Sequence, residues 1–72
     1  MLTETISVPE IHCDHCKMSI EGALASIGGV QGAVVDITAR SVTVTYDDAS
    51  VNRMDLVEAI EEQGYEVPAG ER

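Results

Sequence analysis

Both cysteines and both histidines of this 72-residue chain fall within five consecutive positions, His12-Cys13-Asp14-His15-Cys16. Thiolates are soft donors, and soft donors select Cu(I), Zn(II) or iron–sulfur clusters over hard cations such as Mg(II) and Ca(II). Two sulfurs three residues apart suit an ion of low coordination number, and Cu(I) matches best. Zn(II) usually takes four ligands, which would draft His12 and His15 as well. Adjacent residues project in different directions, so gathering all four on one ion is expected to strain the loop. An iron–sulfur cluster ordinarily needs four thiolates and would therefore require two chains.

A free cysteine titrates near pH 8.5, too high to be mostly thiolate in a neutral cell. The first turn of a helix lowers that value, because its unpaired N–H groups and partial positive charge favour the anion. Lys17 beside Cys16 should push the same way and Asp14 should oppose it, with a net lowering expected. His12 and His15 read first as solvated side chains, available as auxiliary ligands. Met18 and Met54 read as packing or surface residues. The rival chemistry for a Cys-x-x-Cys pair is that of a dithiol oxidoreductase, but no tryptophan flanks the motif, and proline occurs only at Pro9 and Pro68.

The elements that must position these residues are legible as hydrophobic periodicity. Leu2 to Val8 alternates, with Leu2, Glu4, Ile6 and Val8 on one side, which predicts a strand ended by Pro9. Asp14 is the expected N-cap of a helix whose Cys16, Ile20, Ala23, Leu24 and Ile27 share a face, with Gly28-Gly29 as its stop. Val30 to Ile37 and Ser41 to Tyr46 predict an antiparallel hairpin, with Gly32 weakening the first strand or marking a bulge. Asn52 is the expected cap of a second helix, supported by Asp55, with Leu56, Val57 and Ile60 inward and Glu58, Glu61 and Glu62 outward. Gly64 ends it, and Tyr65-Glu66-Val67 predicts a last short strand before Pro68.

That order is the split βαββαβ pattern of a ferredoxin-like sandwich, an α+β fold with a four-stranded antiparallel sheet and two helices on one face. In this topology the loop after the second helix lies at the same end as the first strand–helix loop, which places Tyr65 near the cysteines. Residues 1-68 form the expected domain, and residues 69-72 a loose C-terminal tail.

Thirteen acidic residues against four basic ones give a formal charge of −9, so nucleic acid and anionic membrane surfaces would be repelled. A lack of Phe and Trp leaves few side chains to stack on bases. Cations or basic protein surfaces are the partners this charge suits. No apolar run is long enough to span a bilayer, and the start Met1-Leu2-Thr3-Glu4 lacks the pattern of a signal peptide, so a cytoplasmic location without membrane insertion is expected. Cytosolic reductants keep thiols reduced, which favours two reactive thiols over a structural bridge.

The sequence resembles the heavy-metal-associated domain family, which includes small copper chaperones and the N-terminal modules of copper-transporting P-type ATPases. The resemblance spans residues 2-67. It rests on Cys13-Asp14-His15-Cys16, Ile20-Glu21-Gly22-Ala23-Leu24, Gly29-Val30, Val42-Thr43-Val44 and Ile60-Glu61-Glu62-Gln63-Gly64-Tyr65. It implies Cu(I) held by Cys13 and Cys16, with Tyr65 close to the metal, and handed by ligand exchange to the metal-binding domain of a copper-transporting P-type ATPase or a similar protein. It implies no enzymatic turnover. Ile11 stands where the family usually has a buried methionine, and His12 beside Cys13 is unusual. That histidine keeps Zn(II), and a copper-bridged dimer in place of a monomer, under consideration. Alternatives within the same fold are a module of a heavy-metal-transporting ATPase and a zinc- or Hg(II)-binding protein.

Overall fold

The computed structural model describes residues 1-68; the expected tail at 69-72 lies outside the described residues. Chain order is β1 (Leu2–Ser7), α1 (Asp14–Ala25), β2 (Val30–Asp36), β3 (Ser41–Tyr46) and α2 (Arg53–Glu62). The strands form one antiparallel sheet in the order β1-β3-β2.

Strand alternation becomes a two-sided sheet. On β3, Val42, Val44 and Tyr46 are buried while Ser41, Thr43 and Thr45 face the other side. Register sets Ile6 opposite Val42 and Val35 opposite Val42, so apolar side chains of all three strands meet on one face. The opposite face is hydroxyl-rich, with Thr3 bonded to Thr45 at 3.2 Å and Thr5 to Thr43 at 3.4 Å. Between Val30 and Gly32 the β2–β3 register slips, the bulge that Gly32 announces in the sequence.

The buried face is covered by both helices. Cys16, Ile20 and Leu24 recur four apart on α1, and Leu56, Val57 and Ile60 line α2; these join Ile6, Val35, Val42 and Val44 in a single core. Burial of each such aliphatic side chain stabilises by about 1.5–3 kcal/mol relative to exposure. At the start of α2 the Asn52 side chain accepts from the Asp55 amide at 3.0 Å, while the Asp55 carboxylate accepts from the Asn52 amide at 3.1 Å, a reciprocal cap.

Two expectations are corrected. The sheet of the described residues has three strands, not four. Tyr65-Glu66-Val67 joins no ladder, because the Glu66 N–H is taken by the Glu10 carboxylate and Pro68 has no N–H to give. Burial of Val67 in the core holds the segment in place instead. Beside that segment, the N-cap of α1 is Cys13, in extended conformation at φ −154° and ψ 168°, and Asp14 is the first helical residue.

Glu4, the polar residue on the inner side of β1, has partners that only the fold supplies. Its carboxylate accepts from the Tyr46 hydroxyl at 2.7 Å and from Arg53 Nη1 at 3.0 Å, tying β1 to β3 and α2 at once. The Glu4 carboxylate holds the Tyr46 hydroxyl proton in place and pushes the Tyr46 pKa upward.

Candidate metal centre

After β1, the Val8 carbonyl accepts from the Ile11 amide at 3.1 Å, closing a turn over Pro9 and Glu10. The Ile11 side chain is fully buried and plugs the core beneath that turn. Anchored there, the next residues must emerge at the N-terminal end of α1. Cys13 caps the helix, and its carbonyl accepts the Lys17 amide at 3.2 Å. Cys16 lies in the first turn and heads the helix face that enters the core.

The two sulfurs are 3.3 Å apart and unbonded, since a disulfide would set them near 2.05 Å. Their surroundings differ: Cys16 is 3% exposed, while Cys13 is only half-buried. Cys16 belongs to the core, and Cys13 packs against its edge, partly open to solvent.

Cys16 is lowered from 9.0 to about 7, chiefly by the Tyr65 hydroxyl that donates to its sulfur and next by the His12 backbone amide. Burial opposes this lowering, and the side chain and amide of Cys13 add to it. A thiol with that value is roughly half ionised at neutral pH. Tyr65 is pushed upward by the same bond, by burial and by the negative charge that both cysteines carry as thiolates. Lys17, expected to assist Cys16, instead pairs with Glu21 one turn further on, at 3.2 Å.

The histidines part company. The His12 ring folds back over the motif, with Nδ1 2.8 Å from the Glu10 carbonyl and 3.9 Å from Cys16 Sγ. Ligand atoms of His12, Cys13 and Cys16 all lie within 4.8 Å of one another, the one such group of three among the described residues. His15 is exposed and stands outside that group. Met18 is exposed as well.

One residue that organises the site carries no sequence signal. Glu10 is an ordinary loop acid, yet its carbonyl orients the His12 ring and its carboxylate captures the Glu66 amide beside Tyr65. It thereby ties the segment that carries Tyr65 to the loop that carries the cysteines. Together with Glu61 and Glu66, it also lines an open, acidic depression next to Tyr65.

The donor set is soft, with a lowered pKa at Cys16 and partial exposure at Cys13, which fits a soft cation that can be taken up and released. A linear ion with metal–sulfur bonds of about 2.3 Å would need its sulfurs about 4.6 Å apart. The 3.3 Å pair must therefore open to admit a linear ion, and Cys13, at the helix cap, is the partner with room to move.

Comparison with known proteins agrees with this geometry. The family model described as heavy-metal-associated domain matches residues 5–66. The copper chaperone CopZ of Staphylococcus saprophyticus is 46% identical over 67 residues, covering 93% of this chain and 98% of that protein. Among solved structures, a CopZ metallochaperone superimposes with a TM-score of 0.90 at 40% identity, covering 93% of this chain and 100% of the other. A copper binding domain from HMA7, a P-type ATPase, does so with a TM-score of 0.89 at 31% identity, covering 94% and 92%. With a family match over most of its length and a relative of this identity covering nearly all of it, the chain belongs to the heavy-metal-associated domain family.

Proposed function

We propose that this protein is a cytoplasmic metallochaperone that binds Cu(I) through Cys13 and Cys16 and passes it on by thiolate exchange. The observation that carries the reading is the asymmetric sulfur pair: 3.3 Å apart, with Cys16 in the core and Cys13 half-buried at its edge. Cys13, the accessible donor, is where an incoming thiolate first meets the ion. Cys16, held by Tyr65 and by the amides around it, keeps its grip longest. Exchange through an intermediate with three sulfurs never leaves the ion without ligands, so passage is fast even where affinity is high.

Such exchange needs only similar affinities on the two sides, since each 1.4 kcal/mol of difference biases the distribution about tenfold. A partner of the same fold meets that condition, and the likeness to a P-type ATPase domain supports a metal-binding domain of a copper-transporting ATPase as the acceptor. The formal charge of −9 and the glutamates around Tyr65 favour an acceptor with a basic approach surface. The chain works as a monomer, binding and releasing its cargo without chemical turnover. Among the described residues no helix is long and apolar enough to cross a membrane.

The test is direct transfer. Protein loaded with Cu(I) is mixed with such an acceptor domain in the presence of a weak Cu(I) chelator, the two are separated, and copper is measured in each. Copper should divide between the proteins with little intercepted by the chelator. Copper that stays put, or reaches the acceptor only after release to the chelator, would overturn the reading.

A further inference from the structure

We propose that His12 Nδ1 is a third ligand, which lets the cysteine pair also take a borderline divalent cation such as Zn(II), held by two sulfurs and one nitrogen with one position open. This deepens the metallochaperone reading and rests on the same sulfur pair.

The geometry is already close. An ion with metal–sulfur bonds of about 2.3 Å and metal–nitrogen bonds of about 2.05 Å holds tetrahedral donors roughly 3.5 to 3.8 Å apart. The two sulfurs are 3.3 Å apart and Cys16 Sγ lies 3.9 Å from His12 Nδ1, bracketing that span, and no two of the three ligand atoms exceed 4.8 Å. A linear ion using sulfur alone demands a larger opening of the pair than an angular ion using all three atoms. Imidazole nitrogen and thiolate sulfur together suit Zn(II), which usually gathers four ligands, whereas a linear ion is complete with the two sulfurs.

The ring is held for this role by its neighbours. A carbonyl only accepts, so the Glu10 contact at 2.8 Å places a proton on Nδ1 in the metal-free protein. Ligation exchanges that contact for the ion, and the neutral ring moves its proton from Nδ1 to Nε2, with no net loss from the imidazole. His12 Nδ1 thus alternates between the Glu10 carbonyl and the metal, and the ring, although exposed, already lies beside the sulfurs. His15, equally exposed, has no such placement.

The experiment compares His12→Ala and His15→Ala with the unmodified protein, all reduced, in competition titrations with Zn(II) and with Cu(I). For His12→Ala, Zn(II) affinity should fall by more than the roughly tenfold to hundredfold that loss of an outer-sphere partner costs, and by more than Cu(I) affinity does. His15→Ala should leave the Zn(II)-to-Cu(I) ratio unchanged. Nitrogen NMR of labelled histidine should show His12 Nδ1 changing from protonated to metal-bound when Zn(II) is added. Equal Zn(II) affinities for the two alanine variants, or an Nδ1 that keeps its proton in the zinc form, would overturn the inference. Either result leaves Cu(I) binding by the cysteines standing, and failure of Cu(I) binding itself would instead remove the reading beneath it.

Discussion

The Tyr65 hydroxyl donates to the sulfur of Cys16, so a residue just past α2 sets the charge of the one that heads α1. The bond lowers the thiol and raises the phenol, as one shared proton donor must. The lowered pKa of Cys16 therefore draws on the segment after α2, held by Val67 in the core and by the Glu10 carboxylate on the Glu66 amide.

Tyr65→Phe should raise the Cys16 midpoint above about 7 toward the ordinary 9.0. The folded chain prefers the thiolate, so metal-free protein gains stability as pH rises from about 7 toward 9.0, and the variant should lose much of that gain. Thiolate ultraviolet absorbance against pH, in a Cys13→Ser background, reads the midpoint. A midpoint that does not move would show that the hydroxyl does not set it.

Glu21 stabilises α1 against β2. Its carboxylate accepts from the Val35 amide at 2.8 Å and from Lys17 at 3.2 Å, with the Val35 amide the larger cause of its lowered pKa. A depressed carboxylate contributes stability above its unfolded value, and that stability is lost as pH falls through the folded value. Glu21→Gln should cost about 1 kcal/mol at neutral pH and flatten the loss of stability below pH ~4.3. Urea unfolding at neutral and acid pH measures both effects, and parallel acid limbs for the two proteins would contradict the assignment.

Two glycines should respond with opposite sign. Gly29 has φ +101°, and a Cβ there would meet Val51 Cγ2 at 2.7 Å and Ser50 Cβ at 3.1 Å. Gly29→Ala should destabilise by about 2 kcal/mol, from strain and overpacking combined. Gly22 lies within α1 with nothing inside 4 Å of a new Cβ, so Gly22→Ala should stabilise by up to ~1 kcal/mol. Thermal melts of both variants decide it, and shifts of the same sign would refute the contrast.

Charge makes its own prediction. With a formal charge of −9, transfer of Cu(I) to a basic acceptor should slow as salt rises, because the Debye length shrinks from about 30 Å at 0.01 M to about 8 Å at 0.15 M. Stopped-flow transfer rates across that range test it, and rates indifferent to salt would remove steering from the account.

Features encoded locally are legible in the sequence. The sulfur pair, the Asn52–Asp55 cap and the bulge at Gly32 each follow from neighbours in the chain. Features decided by distant partners are not. Whether Tyr65-Glu66-Val67 pairs as a strand depends on which acceptor takes the Glu66 amide, and that acceptor is Glu10, 56 residues earlier in the chain. Glu4 reads as a flaw in β1 because Tyr46 and Arg53 are distant in sequence. His12 and His15 are indistinguishable by residue type and both are exposed; the turn anchored by buried Ile11 is what brings His12 Nδ1 within 3.9 Å of Cys16 Sγ, while His15 joins no such group. The N-cap falls to Cys13 because the extended chain entering from that turn becomes helical one residue earlier than the acid at Asp14 implies.

The most direct test titrates reduced protein with Cu(I) against a competing chelator, reading stoichiometry by native mass spectrometry, beside the Cys13→Ser, Cys16→Ser double variant. The unmodified chain should bind one Cu(I) per monomer and the double variant, still folded by circular dichroism, should bind none. Tight binding that survives the loss of both sulfurs, or reduced protein that leaves the copper with the chelator, would contradict the account.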